Sequence, residues 1–201
     1  MTKKKVEVAV LKELDLRMTK IKIKGISPLI MHKWSEKVKK EMLDKQMKKT
    51  VKKEAKDPEE QFESSIYRLD DGGLCFPADA FKASMVRGAK ALGLVMKDMK
   101  SAFFVEGIYS SRDDRLMVPI SGKLEMREDM VRLQGTTSDI RFRGQVVNWT
   151  AELEISYNAE IVSFDQIVNM LQSAGFGVGI GEWRPSSPNT SGTFGRFEVV
   201  K

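Results

Sequence analysis

One cysteine and one histidine in 201 residues close off several chemistries before any motif is considered. Cys75 has no partner for an internal disulfide, which fits a reducing cytosol. Cys75 and His32 supply too few ligands for a zinc cluster. A serine or cysteine triad would have to draw on the one imidazole of His32. Neither metal nor organic cofactor is expected. No apolar run approaches the roughly 20 residues that span a bilayer, and no charged-then-apolar leader is seen. A cytoplasmic protein with no membrane partner is therefore expected. A nucleotide-triphosphate loop, G-x-x-x-x-G-K-[ST], is missing as well. The glycines at 175, 177, 179 and 181 do not make a dinucleotide fingerprint, because Ile180 and Glu182 stand where its third glycine would fall. That run also follows a helical pattern instead of a strand.

What remains is a basic, core-forming chain. With 41% hydrophobic and 31% charged residues it can bury a core and stay in solution, and its length is that of a single domain, 1–201. Thirty-four Lys and Arg against 28 Asp and Glu give a net charge of +6, which favours an acidic partner such as nucleic acid.

Alternation in "RMTKIKIKGISPLIM" predicts a half-buried strand with Met18, Ile21, Ile23 and Ile26 as its apolar set, stopped by Pro28. From Lys33 to Lys56 lysines crowd a thin stripe of Trp34, Val38, Met42, Met47 and Val51, and Glu36–Lys40 and Glu41–Lys45 have helical pair spacing. Asp57 and Pro58 open a second short helix. Asp70-Asp71-Gly72-Gly73 reads as a hairpin turn. After Pro77 a helix over 78–92 presents Phe81, Met85, Ala89 and Leu92 on one face. Residues 115–135 read as short strands and turns, with Pro119 at an edge. "DIRFRGQVVNWTAELEISYN" is a strand with Ile140, Phe142, Val146, Trp149 or Ala151, Leu153 and Ile155 inward and a bulge at Gly144. Ser163 caps an amphipathic helix that ends at Gly175. "TFGRFEVV" closes the chain as a strand. With residues 31–66 set aside as a helical insertion, the order is strand, helix, strand, strand, helix, strand. This is an α+β fold with a ferredoxin-like, RRM-like βαββαβ core and an inserted Lys-rich helical arm.

That order, with "LCFPADAFKASMVRGA" at 74–89, the opening "IKIKGISPLIM" and the glycine-rich run before the last strand, resembles the RAMP superfamily of CRISPR-associated RNA-binding proteins, particularly their backbone subunits. The resemblance covers residues 18–200 loosely. It departs from the family at Ala78 and Asp79, where Gly or Ser is usual, and in its Trp-Arg-Pro unit. It implies an RRM-like domain whose helical insertion acts as a thumb. It also implies assembly along single-stranded RNA or DNA, as a homo-oligomer or as a subunit of a nucleoprotein complex.

On that frame the glycine-rich run has a use: backbone approaches a phosphate where side chains are absent, as at Gly179 and Gly181. Trp183 and Phe194 offer stacking planes, and Arg184 and Arg196 offer charge. Arg141 and Arg143, two apart on a strand, share one face. Lys82 and Arg87 extend the track along the helix, and Lys33, Trp34 and Lys37 of the arm add to it. The expectation is a non-enzymatic, largely sequence-independent single-strand binder. Two alternatives stay open: a metal-independent endoribonuclease using His32 as general acid or base, and an adaptor docking its basic insert on an acidic protein.

Overall fold

A computed structural model describes residues 11–34, 36–49, 56–133, 137–188 and 191–200, without the side chains of 36–38, 132–133 and 137. The sheet starts from β1 (Leu16–Gly25), where Ile21 and Ile23 turn into the core and Lys20, Lys22 and Lys24 turn away. Met18 does not join them. It lies an odd number of residues from Ile21, so the two-residue period puts it on the lysine face, opposite Ser156 and 60% exposed. Pro28 stops β1 as expected, and Leu29–Ile30 (β2) resume pairing at once, on Val146 and Gln145.

Within the Lys-rich segment α1 spans Glu36–Gln46, with Met42, Leu43 and Met47 exposed, and Val51 of the expected stripe lies outside the described residues. α2 (Pro58–Ser64) begins where Asp57 accepts the amides of Glu59 and Glu60. α2 belongs to the body of the fold: Ser65 donates to Phe62 and accepts the Gly144 amide, and Ile66 joins the core. The Asp-Asp-Gly-Gly turn forms with Gly72 at φ +87°, but the pairing it makes is one bridge, Arg68 to Leu74.

β3 (Cys75–Pro77) feeds straight into α3 (Ala78–Gly88), whose Phe81 and Met85 are fully buried. The helix tightens over Ala89–Leu92 and ends at Gly93 in the left-handed region. The shorter turn shifts the phase, so Leu92 leaves the apolar face and is exposed. α4 (Met96–Ala102), β4 (Phe103–Val105) and β5 (Ile108–Ser110) follow; β4 pairs with the far end of the long strand below, and β5 with the start of its partner.

The expected short strands of 115–135 are one strand, β6 (Arg115–Leu133), paired antiparallel with β7 (Thr137–Asn158). Pro119 is tolerated because it faces Cys75 of the short β3. The bulge lies between Ser121 and Lys123, at Gly122 with φ +155°, and not at Gly144, which pairs regularly with Met126. Trp149 and Ala151 both turn inward, and the Trp149 indole donates to the Ser27 carbonyl.

α5 (Phe164–Gly177) opens with a complete capping box of Ser163 and Gln166 and buries Ile167, Met170, Leu171 and Ala174. It runs two residues past Gly175, which is inside the helix because a Cβ there would lie 2.1 Å from the Phe197 carbonyl oxygen. The last strand is only β8 (Phe197–Val199). The strand order is β3-β6-β7-β1-β8, with α3 and α5 packed together over the core residues of β1 and β7. The result is a mixed α+β fold around an antiparallel sheet. It carries more strands than the six-element pattern expected. Among the described residues no helix is long and apolar enough to cross a membrane.

Candidate nucleic-acid interface

The two faces of the β6–β7 ribbon are unlike. Paired residues share a face, so Arg127 and Arg143, Asp129 and Arg141, and Glu125 and Gln145 line one side. Gly144 and Val146 on the other side meet Ile66 and β2. The charged side faces the loop residues Glu182, Trp183 and Phe194. Arg143 is 3% exposed and Asp129 is 4% exposed, with 3.5 Å between Nη1 and Oδ2. Burial lowers the pKa of Arg143, while Glu182 and Asp129 oppose the shift. Arg127 closes on the other Asp129 oxygen at 2.7 Å and donates to Gln145 at 3.2 Å.

Above this network the loop supplies the aromatics. Trp183 and Phe194 have ring centroids 6.1 Å apart, and the Arg127 guanidinium lies 5.2 Å from the first ring and 4.6 Å from the second. Both rings and Arg127 are partly exposed. A cation so held against two π faces is oriented and only partly desolvated.

The glycines that were expected to open backbone to a ligand open it to the chain itself. A Cβ on Gly192 would lie 1.6 Å from the Trp183 carbonyl oxygen, and one on Gly181 would lie 2.6 Å from that of Ile30. The Gly179 amide donates to Ala174, and its carbonyl accepts from Ser84 at 2.9 Å. The Glu182 amide donates to Ile30. Gly179 and Gly181 thus let the loop thread between α3, β2 and the C-terminal segment, and this threading sets Trp183, itself at φ +52°, over Arg127.

Arg184 donates to the Gly181 carbonyl at 2.8 Å and lines a cleft of about 220 Å³ with His32, Tyr67, Arg115 and Glu182. Its pKa is lowered by burial first and by Arg87 second, so Arg87 of α3 is an electrostatic neighbour of the loop. Arg196 leans away from this group, donating to the Phe176 carbonyl with its guanidinium 5.2 Å from the Phe176 ring. Arg141 pairs with Asp139 at 3.6 Å on the same ribbon face. Lys82 lies over the Phe104 ring at 3.7 Å, and burial lowers its pKa. Lys33 is bound to the buried side chain of Asp113 at 2.7 Å, Trp34 is exposed, and the Lys37 side chain falls outside the described residues.

Three contributors were missed by the sequence reading: Arg127, Asp129 and Glu182. Arg127 and Asp129 alternate with Glu125 in "LEMRED", a two-residue period that becomes visible only once β6 is taken as one strand. The His32 Nδ1–H donates to Glu182 at 3.2 Å. That bond, ahead of the charges of His32, Arg143 and Arg184, holds the Glu182 carboxyl below its usual value of 4.5. A depressed carboxyl stabilises the fold above its unfolded pKa and loses that contribution as pH falls through the folded value. The melting-temperature gap between wild type and Glu182→Gln should therefore be fully present at about pH 5 and shrink as pH falls below about 4.5. A gap that widens on acidification below about pH 5 would contradict this assignment.

The open sheet face is different in charge. Lys20, Lys22 and Lys24 stand opposite Glu154, Glu152 and Glu198 at 3.6, 3.9 and 2.9 Å, a charge-balanced ladder.

The fold is similar to that of a chain in a Cmr complex. A chain of the structure described as the Type III-B Cmr-beta bound to cognate target RNA superposes with a TM-score of 0.53 at 13% identity, over 93% of this chain and 60% of that one. Cmr6 from Pyrococcus furiosus aligns over 94% of this chain and all of its own, with a TM-score of 0.44 and 12% identity. No protein-family model matches the sequence, and no curated protein matches it.

Proposed function

We propose that the chain binds single-stranded nucleic acid, RNA in the first instance, as a non-catalytic subunit of a nucleoprotein complex. The observation that carries this reading is the Arg127 guanidinium of β6 set against the partly exposed rings of Trp183 and Phe194, in a loop that also holds Arg184 beside Arg87. Unstacked bases stack on such rings, and the guanidinium groups neutralise the phosphates between them. The likeness in fold to a chain of an RNA-bound Cmr complex supports the choice of RNA.

The ladder of lysines and glutamates on the open sheet face is charge-balanced, so the strand runs over the arginine-bearing ribbon and loop instead. The framework is read as a ferredoxin-like core, with β1, β6, β7 and β8 in its four strand places and α3 and α5 in its helix places. α1 serves as the projecting arm, where its lysines add non-specific attraction or meet a neighbouring subunit.

The test is fluorescence anisotropy with a labelled oligouridine. Affinity should fall by at least about tenfold between 50 and 200 mM salt, because phosphate contacts release counterions. Arg127→Ala should weaken binding and reduce the salt slope by about one. No binding at low salt, or an unchanged slope in Arg127→Ala, would overturn the proposal.

A further inference from the structure

The cleft beside Arg184 has a chemistry different from the arginine–aromatic platform. Two guanidinium groups, Arg115 and Arg184, face two carboxylates, Asp79 and Glu182, and Arg115 stands 3.7 Å from Asp79. Its charge is balanced, so a phosphate gains little there, whereas a neutral group rich in donors and acceptors is served on both counts. The floor is apolar and aromatic: Phe76 and Pro77, with the Tyr67 ring edge-on to Phe76 at 5.6 Å. At about 220 Å³ the cleft is smaller than the roughly 300–1,000 Å³ of pockets that take whole drug-sized ligands, and it suits one ring system.

One oxygen of Glu182 is engaged by His32, and no donor among the described residues reaches the other. Gly181, Glu182 and Arg184 flank Trp183 in the same loop, so a strand stacked on Trp183 passes the mouth of the cleft.

We infer that the cleft receives one nucleobase of the bound strand and that it selects guanine. This rests on the single-strand-binding reading above. Guanine alone sets two neighbouring donors, N1–H and N2–H, against a carboxylate and two acceptors, O6 and N7, against a guanidinium. Uracil has one donor on its pairing edge, and adenine has no carbonyl for the arginine. The protein is thus largely indifferent to sequence along the platform and selective at one position.

The experiment compares wild-type affinity for oligouridine with that for the same strand carrying one central guanosine, adenosine or cytidine. The guanosine strand should bind about tenfold tighter than oligouridine, the others close to it. In Glu182→Gln the ratio of guanosine to uridine affinity should fall to about one. Arg115→Gln should collapse the ratio in the same way, and it keeps the inference testable if Glu182→Gln fails to fold. Equal wild-type affinity for all four strands, or a ratio that survives in a folded variant, overturns the guanine cleft and leaves the platform standing. Absence of binding to every strand overturns both.

Discussion

Asp129→Ala is expected to lower the free energy of unfolding by about 3–5 kcal/mol, the usual cost of removing one partner from a buried ion pair. The side chain lies between two arginines, bonded to Arg127 at 2.7 Å and set 3.5 Å from Arg143. Its loss leaves the buried Arg143 guanidinium with Glu182 as its remaining opposite charge, while Nε and Nη1 of that group already have no hydrogen-bond partner among the described residues. The penalty arises from desolvation, so salt should change it little, whereas an exposed pair such as Lys22–Glu152 is readily screened. Asp129→Leu combined with Arg143→Met should recover most of the loss, because well-packed apolar residues often replace a buried pair without cost. Urea denaturation of the two variants checks both statements.

Gly195→Ala should destabilise the fold by about 2–5 kcal/mol, from left-handed backbone strain of about 1–2 kcal/mol and overpacking of about 1–3 kcal/mol. Gly195 has φ +62°, and a Cβ there would lie 1.7 Å from the Ile180 carbonyl oxygen. That atom is backbone and cannot rotate away. Relief would separate the two segments and break the bonds from the Ile180 amide to Gly195 at 3.0 Å and from the Gly195 amide to Pro28 at 2.8 Å. Gly177→Ala provides the contrast. Nothing lies within 4 Å of its Cβ position at the end of α5, so that substitution should stabilise by about 0.4–1 kcal/mol. Thermal melts of the two variants should move in opposite directions.

The contrast between those glycines also marks the limit of the sequence reading. Local signals were legible: the Asp57 cap, the Ser163 capping box, the stop at Pro77 and the inward Ile21, Ile23, Phe81 and Met85 all depend on neighbours in the chain. Signals that depend on a distant partner were not. Pro119 and Gly122 look like strand breakers until β3 and the bulge accommodate them, so β6 was divided and the pairing of Arg127 and Asp129 with β7 was hidden. Arg141 and Arg143 do share a face, as their spacing requires, but the loop that buries Arg143 arrives from some 40 residues further along. Trp183, Phe194 and Arg184 were found by residue type, and the first two stand together. Gly179 and Gly181 give close approach to other segments of the chain, which sequence cannot distinguish from backbone opened to a ligand.

The most direct measurement is photo-cross-linking of 4-thiouridine-substituted oligonucleotide to the protein, with the modified peptides mapped by mass spectrometry. The account predicts adducts on Trp183 and Phe194, lost when Arg127 and Trp183 are both replaced by alanine. Adducts confined to the lysine face of β1 or to α1, with none between residues 183 and 194, would contradict it.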